Sequence, residues 1–374
     1  MTLRWPFSKT QHKQWVGISL SSLAPSAVIY SHEGIVDSIA YNQEQGIKEL
    51  ELWLKKYVTP KTPAVLVLDE SDYELLLVEA PNVPDEELTA ALEYRIGDLL
   101  NQPIEETAIQ AVRLPSDAYR GRMSMAYVVA TPNSTIKDKV RWAAENNLDL
   151  EVITVPEFSL LNILSASSIK HGIALLELTP SYGTIRIYQD GALYLTRQVE
   201  VGLDALNIQN EMDLNSSDIN NANSKIDDGE PLLIDEVSLD DETFEDAVSS
   251  DLELDENNLE RDLDIDQDSY VGFLPKSKVN TEQAENLVLE VQRSLDYYES
   301  QLGMGQITKL WIMAGDVDLT SVVDAMQPVL TAKIEQPNVA EKIKSLTDIN
   351  ILNNEDNMNN SIMALGGALA YVAR

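Results

Sequence analysis

The stretch IALLELTPSYGTIRIYQDGALYLTR, residues 173–197, reads as three strands joined by two turns. Residues 173–178 form an apolar run, Thr179-Pro180-Ser181-Tyr182-Gly183 breaks it, 184–189 make a second strand, and Asp190-Gly191 turns the chain into a third at 192–197. Asp-Gly between strands is a strong hairpin signal, because glycine takes the positive φ of a tight turn without strain. The same order occurs earlier, in WVGISLSSLAPSAVIYSHEGIVDSIAY, residues 15–41. Strand 15–20 is followed by Ser21-Ser22-Leu23-Ala24-Pro25, strand 27–30, a turn expected at Glu33-Gly34, and strand 35–41. Copies so far apart do not suit a solenoid and do suit two related half-molecules enclosing a cleft.

Composition bounds the remainder. A chain of 374 residues exceeds the size at which one core keeps growing, so two or more lobes are expected, and 44% hydrophobic residues supply their cores. The net charge of -35 argues against nucleic acid as a ligand. The excess is concentrated: residues 211–268 hold 22 Asp/Glu against Lys225 and Arg261. Few aromatic residues and strong self-repulsion predict a solvated, disordered insertion at 206–269. Asp262, Asp264, Asp266 and Asp268 alternate within it, but no EF-hand glycine or bidentate glutamate stands in register. There are no cysteines, which excludes disulfides and thiolate chemistry. No apolar run is long enough for a membrane span. The basic start, with Arg4, Lys9 and Lys13, resembles a secretion signal only superficially, because Ser19, Ser21 and Ser22 interrupt its apolar part.

Along the chain, residues 46–57 predict a helix with Ile47, Leu50, Leu54 and Tyr57 inward, and 64–68 a buried strand. A strand at 73–78 precedes Pro81-Asn82-Val83-Pro84, after which 84–100 is a helix with acidic residues in its first turn and Leu88, Leu92, Ile96 and Leu99 on one face. Strand 127–130, helix 134–147 with Ile136, Val140 and Ala144 inward, and strand 151–155 complete this part. Helix 281–302 shows Leu287, Val291, Leu295 and Tyr298 on one face and ends at Gly303. Strand 310–313 runs into Ala314-Gly315; helices follow at 319–329 and 361–372. The domain reading is a tail at 1–14, first-lobe core 15–80, inserted α+β subdomain 81–148, first-lobe continuation 149–169, second-lobe core 170–205, acidic insertion 206–269, helical part 270–305, continuation 306–355, and a C-terminal helix returning to the first lobe at 356–374.

No P-loop, dinucleotide fingerprint, nucleophile elbow or HExxH is present. His12, His32 and His171 lack metal-ligand spacing and read as surface residues. The cleft between the hairpins is the one site the chain could assemble.

Val16-Gly17-Ile18, helix 84–100, Val128 to Pro132, Val155-Pro156-Glu157-Phe158, the second hairpin, Gln292 to Tyr298 and Met313-Ala314-Gly315 follow one another in an order that resembles PilM-like proteins, the cytoplasmic FtsA-like members of the actin superfamily in type IV pilus assembly. Within that family the likeness is to the branch that serves mannose-sensitive haemagglutinin (MSHA) pili. It spans nearly all of 15–374 except the acidic tract. The resemblance implies an α/β, actin-like (ribonuclease H-like) fold of two lobes with duplicated β-hairpin cores and an FtsA-type inserted subdomain.

The departures from that family concern the nucleotide. Where the family's first phosphate loop has an Asp and a Val-Lys pair, this chain has Ser19 and Pro25-Ser26, with Ser21 and Ser22 between them. The second loop's Asp-x-Gly becomes Glu177-Leu178-Thr179, with Ser181 beyond it, and the adenosine-side double glycine is reduced to Gly315 flanked by Ala314 and Asp316. Without an Asp for Mg²⁺ and a Lys for phosphate, a transferred phosphoryl group has no stabiliser. The expectation is therefore a degenerate site, no enzyme and no cofactor, with weak ATP binding through Glu177, Ser181 and Gly315 as the residual reading.

By resemblance, the expected function is a cytoplasmic adaptor, peripheral on the inner membrane, that binds the N-terminal tail of a PilN- or MshJ-type membrane protein, with a pilus assembly ATPase as a further partner. The tail would lie beside helix 84–100 and strand 127–130, near Leu88, Leu92, Tyr94, Tyr127 and Val129. An actin-like ATPase that drives or regulates pilus assembly is the alternative, distinguished by nucleotide affinity. A periplasmic binding protein is the third reading, distinguished by loss of residues 1–27 from the mature chain.

Overall fold

The computed structural model describes residues 14–22, 24–41, 46–167, 169, 172–208 and 279–370. The N-terminal tail, His12, His171 and nearly all of the acidic insertion expected at 206–269 lie outside the described residues.

Two five-stranded sheets repeat one plan. In the first lobe β1 (Gln14–Ser19), β2 (Ser26–Ser31), β3 (Gly34–Ala40), β4 (Thr62–Val67) and β8 (Leu148–Thr154) stand in the order β3-β2-β1-β4-β8. In the second, β9 (Ile173–Leu178), β10 (Gly183–Gln189), β11 (Ala192–Val199), β12 (Lys309–Met313) and β13 (Lys333–Glu335) stand in the order β11-β10-β9-β12-β13. In each sheet the first three strands are antiparallel and the last two join in parallel. Both hairpins shift register at the same place, between Ile29 and Tyr30 in one and between Ile187 and Tyr188 in the other. The duplication read from the sequence is thus a duplication of structure. Aligned on that shift, the second turn is Asp190-Gly191 as expected and the first differs. The first is His32-Glu33, and Gly34 opens β3 at φ 124°, where a Cβ would also meet the Asn350 carbonyl.

Each face of the first sheet has its own cover. Helix α1 (Gly46–Tyr57) packs Leu50, Trp53 and Leu54 on Val16, Ile18 and Leu66, and α3 (Asn133–Glu145) adds Ala143 to the same layer. Ile47 and Tyr57 of α1, and Val140 and Ala144 of α3, were expected inward and are exposed instead. The inward row of α3 is offset by one position, since Lys139 reaches back to Asp72 at 2.7 Å. The other face meets α4 (Pro156–Ala166) and α8 (Ile362–Leu369), which lie between the sheets in one continuous core. Gly17 admits α8: a Cβ there would lie 2.0 Å from the Ala364 carbonyl oxygen and 2.2 Å from the Ala368 nitrogen. Trp15 Nε1 donates to the Ala368 carbonyl at 2.9 Å.

The inserted subdomain is a three-stranded sheet, β5 (Glu74–Glu79), β7 (Met125–Pro132) and β6 (Thr107–Arg113), in the order β5-β7-β6, with α2 (Asp85–Ile96) on one face. Two boundaries shift. Strand β5 was assigned to the first lobe but pairs with β7, and α3 was assigned to the insertion but packs in the first lobe's core. Strand β6 was missed because its apolar and polar residues alternate too weakly to stand out from a loop. The second sheet is covered by α5 (Thr281–Ser300), whose Leu287, Val291, Leu295 and Tyr298 are buried as the periodicity requires. Helices α6 (Thr320–Met326) and α7 (Val339–Leu346) follow; the former is shorter than expected and the latter was not anticipated. After α7 the chain crosses back to the first lobe. Asn353 Nδ2 donates to the Val36 carbonyl at 2.8 Å and Leu352 N to the Ile35 carbonyl at 2.9 Å, so side chains and backbone occupy the open edge of β3. No helix among the described residues is long and apolar enough to cross a membrane.

Candidate functional site

The three loops whose residues suggested a degenerate nucleotide site each close on protein groups. In the first, the Ser22 amide donates to Asp69 Oδ2 at 2.7 Å. Asp69 also accepts from the Ser71 amide at 3.0 Å and its hydroxyl at 2.8 Å, capping the turn Glu70–Asp72. Burial raises the Asp69 carboxyl, but these bonds outweigh it and hold the group below its ordinary value, as a carboxylate. In the second loop, the Thr179 amide and hydroxyl both donate to the Tyr182 carbonyl, at 2.8 Å each, and the Tyr182 amide returns to Thr179 Oγ1 at 3.2 Å. Ser181 is exposed at the tip, while Ser19 is buried at the end of β1. In the third, Gly315 takes φ 61°, and Asn360 Oδ1 sits 1.9 Å from where a Cβ would stand. Asn360 also accepts from the Asp316 amide at 3.2 Å, and Asn359 Nδ2 donates to Asp316 at 2.9 Å. Ala314 precedes this capped turn.

Between the first two loops lies a group the sequence reading missed. Arg186 on β10 is 0% exposed. Its Nε donates to Glu157 Oε1 at 3.2 Å, Nη1 to Glu177 Oε2 at 2.7 Å, and Nη2 to Glu70 Oε1. The acceptors come from three elements: Glu157 from the first turn of α4, Glu177 from β9, and Glu70 from the turn after β4. Phenols complete the shell. Tyr73 donates to Glu157 Oε2 and Tyr182 to Glu70 Oε2, both at 2.8 Å, and Tyr188 donates to the Glu157 carbonyl at 2.8 Å. Burial opposes the charge on Arg186, but Glu157, Glu177 and Glu70 raise its pKa further and keep it protonated. Burial pushes the Glu177 carboxyl above its ordinary range despite Arg186. It also raises the phenols of Tyr73, Tyr182 and Tyr188, so they stay donors.

Aligning the hairpins on their shared register shift sets Ser19 against Glu177 and Val28 against Arg186. The first lobe therefore keeps an apolar residue where the second carries the guanidinium. The signal was an arginine between Ile185 and Ile187 on a strand, but period-two alternation lets such a residue be read as solvent-facing.

A second recess lies where the inserted sheet meets the first lobe. It encloses about 100 Å³ and is lined by Ser71 to Glu74, Leu100, Gln102, Thr107, Ala130 to Pro132, and Thr135. The residues expected to receive a partner distribute otherwise. Leu88 and Leu92 are buried under the inserted sheet with Val128 and hold α2 to it, which corrects their placement in an open groove. Tyr127 is buried, with its hydroxyl donating to the Tyr194 carbonyl at 3.2 Å, and Val129 packs toward the first-lobe core. Tyr94, 92% exposed, faces solvent. The insertion is also latched to the second lobe. The Tyr119 and Tyr297 hydroxyls meet at 3.0 Å, and the Arg120 amide donates to the Leu302 carbonyl at 3.3 Å.

No family model matches the sequence, and no curated protein matches it. Among solved structures, one titled as the PilM-PilN type IV pilus biogenesis complex is similar over 96% of this chain and 99% of that one, at a TM-score of 0.62 and 13% identity. The fold is actin-like. Weaker likenesses are the cytoplasmic domain of EpsL, an inner membrane component of the type II secretion system of Vibrio cholerae (17% identity, 53% of this chain and 76% of that, TM-score 0.37), and the ethanolamine utilization protein EutJ from Carboxydothermus hydrogenoformans (10% identity, 98% and 91%, TM-score 0.43). On the actin-like fold, the hairpin loops, Gly315 and the Arg186 cluster all belong to the region between the two sheets.

Proposed function

We propose that this actin-like protein is a non-enzymatic scaffold of a pilus assembly machine of the type IV, MSHA-like class. It sits on the cytoplasmic side of the inner membrane and binds the N-terminal tail of a PilN- or MshJ-type membrane protein. The observation that carries the non-enzymatic part is the Arg186 cluster. One guanidinium and three carboxylates join the lobes at the cleft, while the Ser22, Thr179 and Tyr182 amides already have protein acceptors. A triphosphate would have to displace a carboxylate from Ser22 and face three more acids.

The partner reading is supported by the recess at the end of the inserted sheet and by β5, an edge strand of that sheet. An extended tail adding beside β5 gains main-chain hydrogen bonds, and the recess takes one side chain. Titration of the full chain with a labelled tail peptide tests this. Thr135→Arg, which fills the recess, lowers affinity at least tenfold, while Tyr94→Ala on the outer face of α2 leaves it unchanged; equal affinity for both variants and the wild type would sink the groove. Mg-ATP at millimolar concentration leaves the melting temperature unmoved. Because a ligand at a hundredfold its Kd adds about 2.7 kcal/mol, a clear rise would favour the ATPase reading instead.

A further inference from the structure

Helices α1 and α3 lie side by side on the outer face of the first sheet, tied by Trp142 Nε1 donating to Glu51 Oε1 at 2.8 Å. Their outer stripes share one design. On α1, Lys48, Leu52, Lys55 and Lys56 follow the spacing of a single helix face, and all four are exposed. Leu52 stands 67% exposed amid the lysines, and Tyr57, under the Lys56 ammonium at 4.8 Å, is 46% exposed at the helix end. On α3, Lys137, Val140, Arg141 and Ala144 repeat the arrangement, with Val140 49% exposed. Lys61 extends the cationic row beyond α1. The acids on these helices are Glu49 and Glu51 on α1, the latter engaged by Trp142, and Asp138, paired with Arg141 at 3.2 Å, and Glu145 on α3. Lys48, Lys55, Lys61 and Lys137 have no ion-pair partner among the described residues.

We propose that this face rests on an anionic bilayer surface, with the lysines among the headgroups and Leu52 and Val140 at the acyl boundary. Charge decides the occupant. In a chain of net charge -35, α2 and α5 are acidic, whereas both of these neighbouring helices carry a cationic outer stripe. Leu52 and Val140 each stand singly on their helix faces, beside long flexible cations. That geometry suits headgroups reached by extended side chains better than a rigid pocket in a protein partner. The overall negative charge does not forbid it. Much of it lies in residues 211–268, and screening over about 8 Å at physiological ionic strength lets a local patch act by itself.

Flotation of the full chain with phosphatidylcholine vesicles, with and without phosphatidylglycerol, tests the assignment without any protein partner, so its failure leaves the tail-binding reading untouched. Binding is expected only to the anionic vesicles and fades with salt. A basic residue near such a surface contributes about 1 kcal/mol, so each charge removed lowers partition about fivefold, and Lys48→Glu with Lys55→Glu and Lys56→Glu lowers it by a hundredfold or more. Leu52→Trp, which leaves charge and core alone, strengthens it several-fold. Arg95→Glu with Arg122→Glu, on the inserted subdomain, makes the charge change of Lys55→Glu with Lys56→Glu but has little effect. The assignment is overturned by absence of flotation with anionic vesicles at low salt, by equal losses in those two double variants, or by a dimer that the α1 variants convert to monomer, which would give the face to a second copy.

Discussion

The Arg186 guanidinium, on the second lobe's middle hairpin strand, donates to Glu157 in the first turn of the helix that leaves the first lobe, at 3.2 Å. In the first lobe the corresponding strand position is Val28, so the pseudo-twofold plan is broken at the residue that joins the halves. Glu157 lies where the helix dipole favours an anion, and its second oxygen is held by Tyr73. The lobes are thereby joined through a buried guanidinium, all three of whose acceptors are carboxylates.

Breaking that cluster from the cationic side leaves three acids facing one another. Arg186→Met is expected to cost about 3–5 kcal/mol, since removing one member of a buried pair strands the others. Arg186→Lys recovers part of this, because one ammonium cannot bridge acceptors on three elements. Urea denaturation measures both, and a loss below about 1 kcal/mol for Arg186→Met would show that the cluster does not hold the lobes.

Two carboxylates give the stability curve opposite slopes with pH. Glu335 is held at about 2, first by its hydrogen bond from Lys333 and then by Lys342. Its contribution is present above the ordinary carboxyl range and is lost as pH falls from there toward about 2; at this surface position it amounts to under about 1 kcal/mol. Glu177, raised by burial, acts in the other direction: stability falls as pH rises from the ordinary value through its elevated one. Glu335→Gln should flatten the acid limb, and Glu177→Gln should remove the loss on the rising side, in urea melts across the acidic to neutral range. Parallel curves for wild type and Glu177→Gln would rule out the buried titration.

Gly17 tests the seating of the C-terminal helix. A methyl at this position meets backbone atoms of Ala364 and Ala368, which no rotamer change relieves. Gly17→Ala is expected to cost about 3 kcal/mol or more, as severe overpacking does. Gly97→Ala, where a Cβ meets nothing within 4 Å, is the control and should be near neutral. Thermal melts of the two variants separate the outcomes.

The latch between the insertion and the second lobe can be read as a coupling. Gly303 takes φ 74°, and a Cβ there would press on Arg120 Cγ at 2.2 Å. Gly303→Ala should cost about 1–2 kcal/mol from the left-handed backbone alone, and more from the side-chain clash. Arg120→Ala removes only the second part, so a double-mutant cycle should show a coupling of about 0.5 kcal/mol or more. Strict additivity would mean that the latch yields freely.

The two strand-turn-strand copies were legible because hairpin signals are local: Asp190-Gly191 and the alternating strands around it carry their own geometry. So were α5 and its buried face, because a helix of that length states its period many times over. Helices α1 and α3 were legible as helices, and Leu50 and Leu54 of α1 face the sheet as expected, but the edges of the α1 stripe and the phase of α3 were not legible. Ile47, Tyr57, Val140 and Ala144 are apolar or small and still face outward, because the sheet decides which stripe it covers. The residue types of the three cleft loops could be read one by one, since the loops are short and carry their chemistry locally. The cluster between them could not. Glu70, Glu157, Glu177 and Arg186 are far apart in the chain, and only the closure of one sheet against the other brings them within hydrogen-bond distance and makes a buried charge tolerable. The sequence by itself therefore determined the repeated halves and the residue types carried by the cleft loops, through local turn and side-chain chemistry. Tertiary structure alone decided that the cleft is joined by a guanidinium and that Leu88 and Leu92 are core, because burial and charge pairing depend on which surfaces meet.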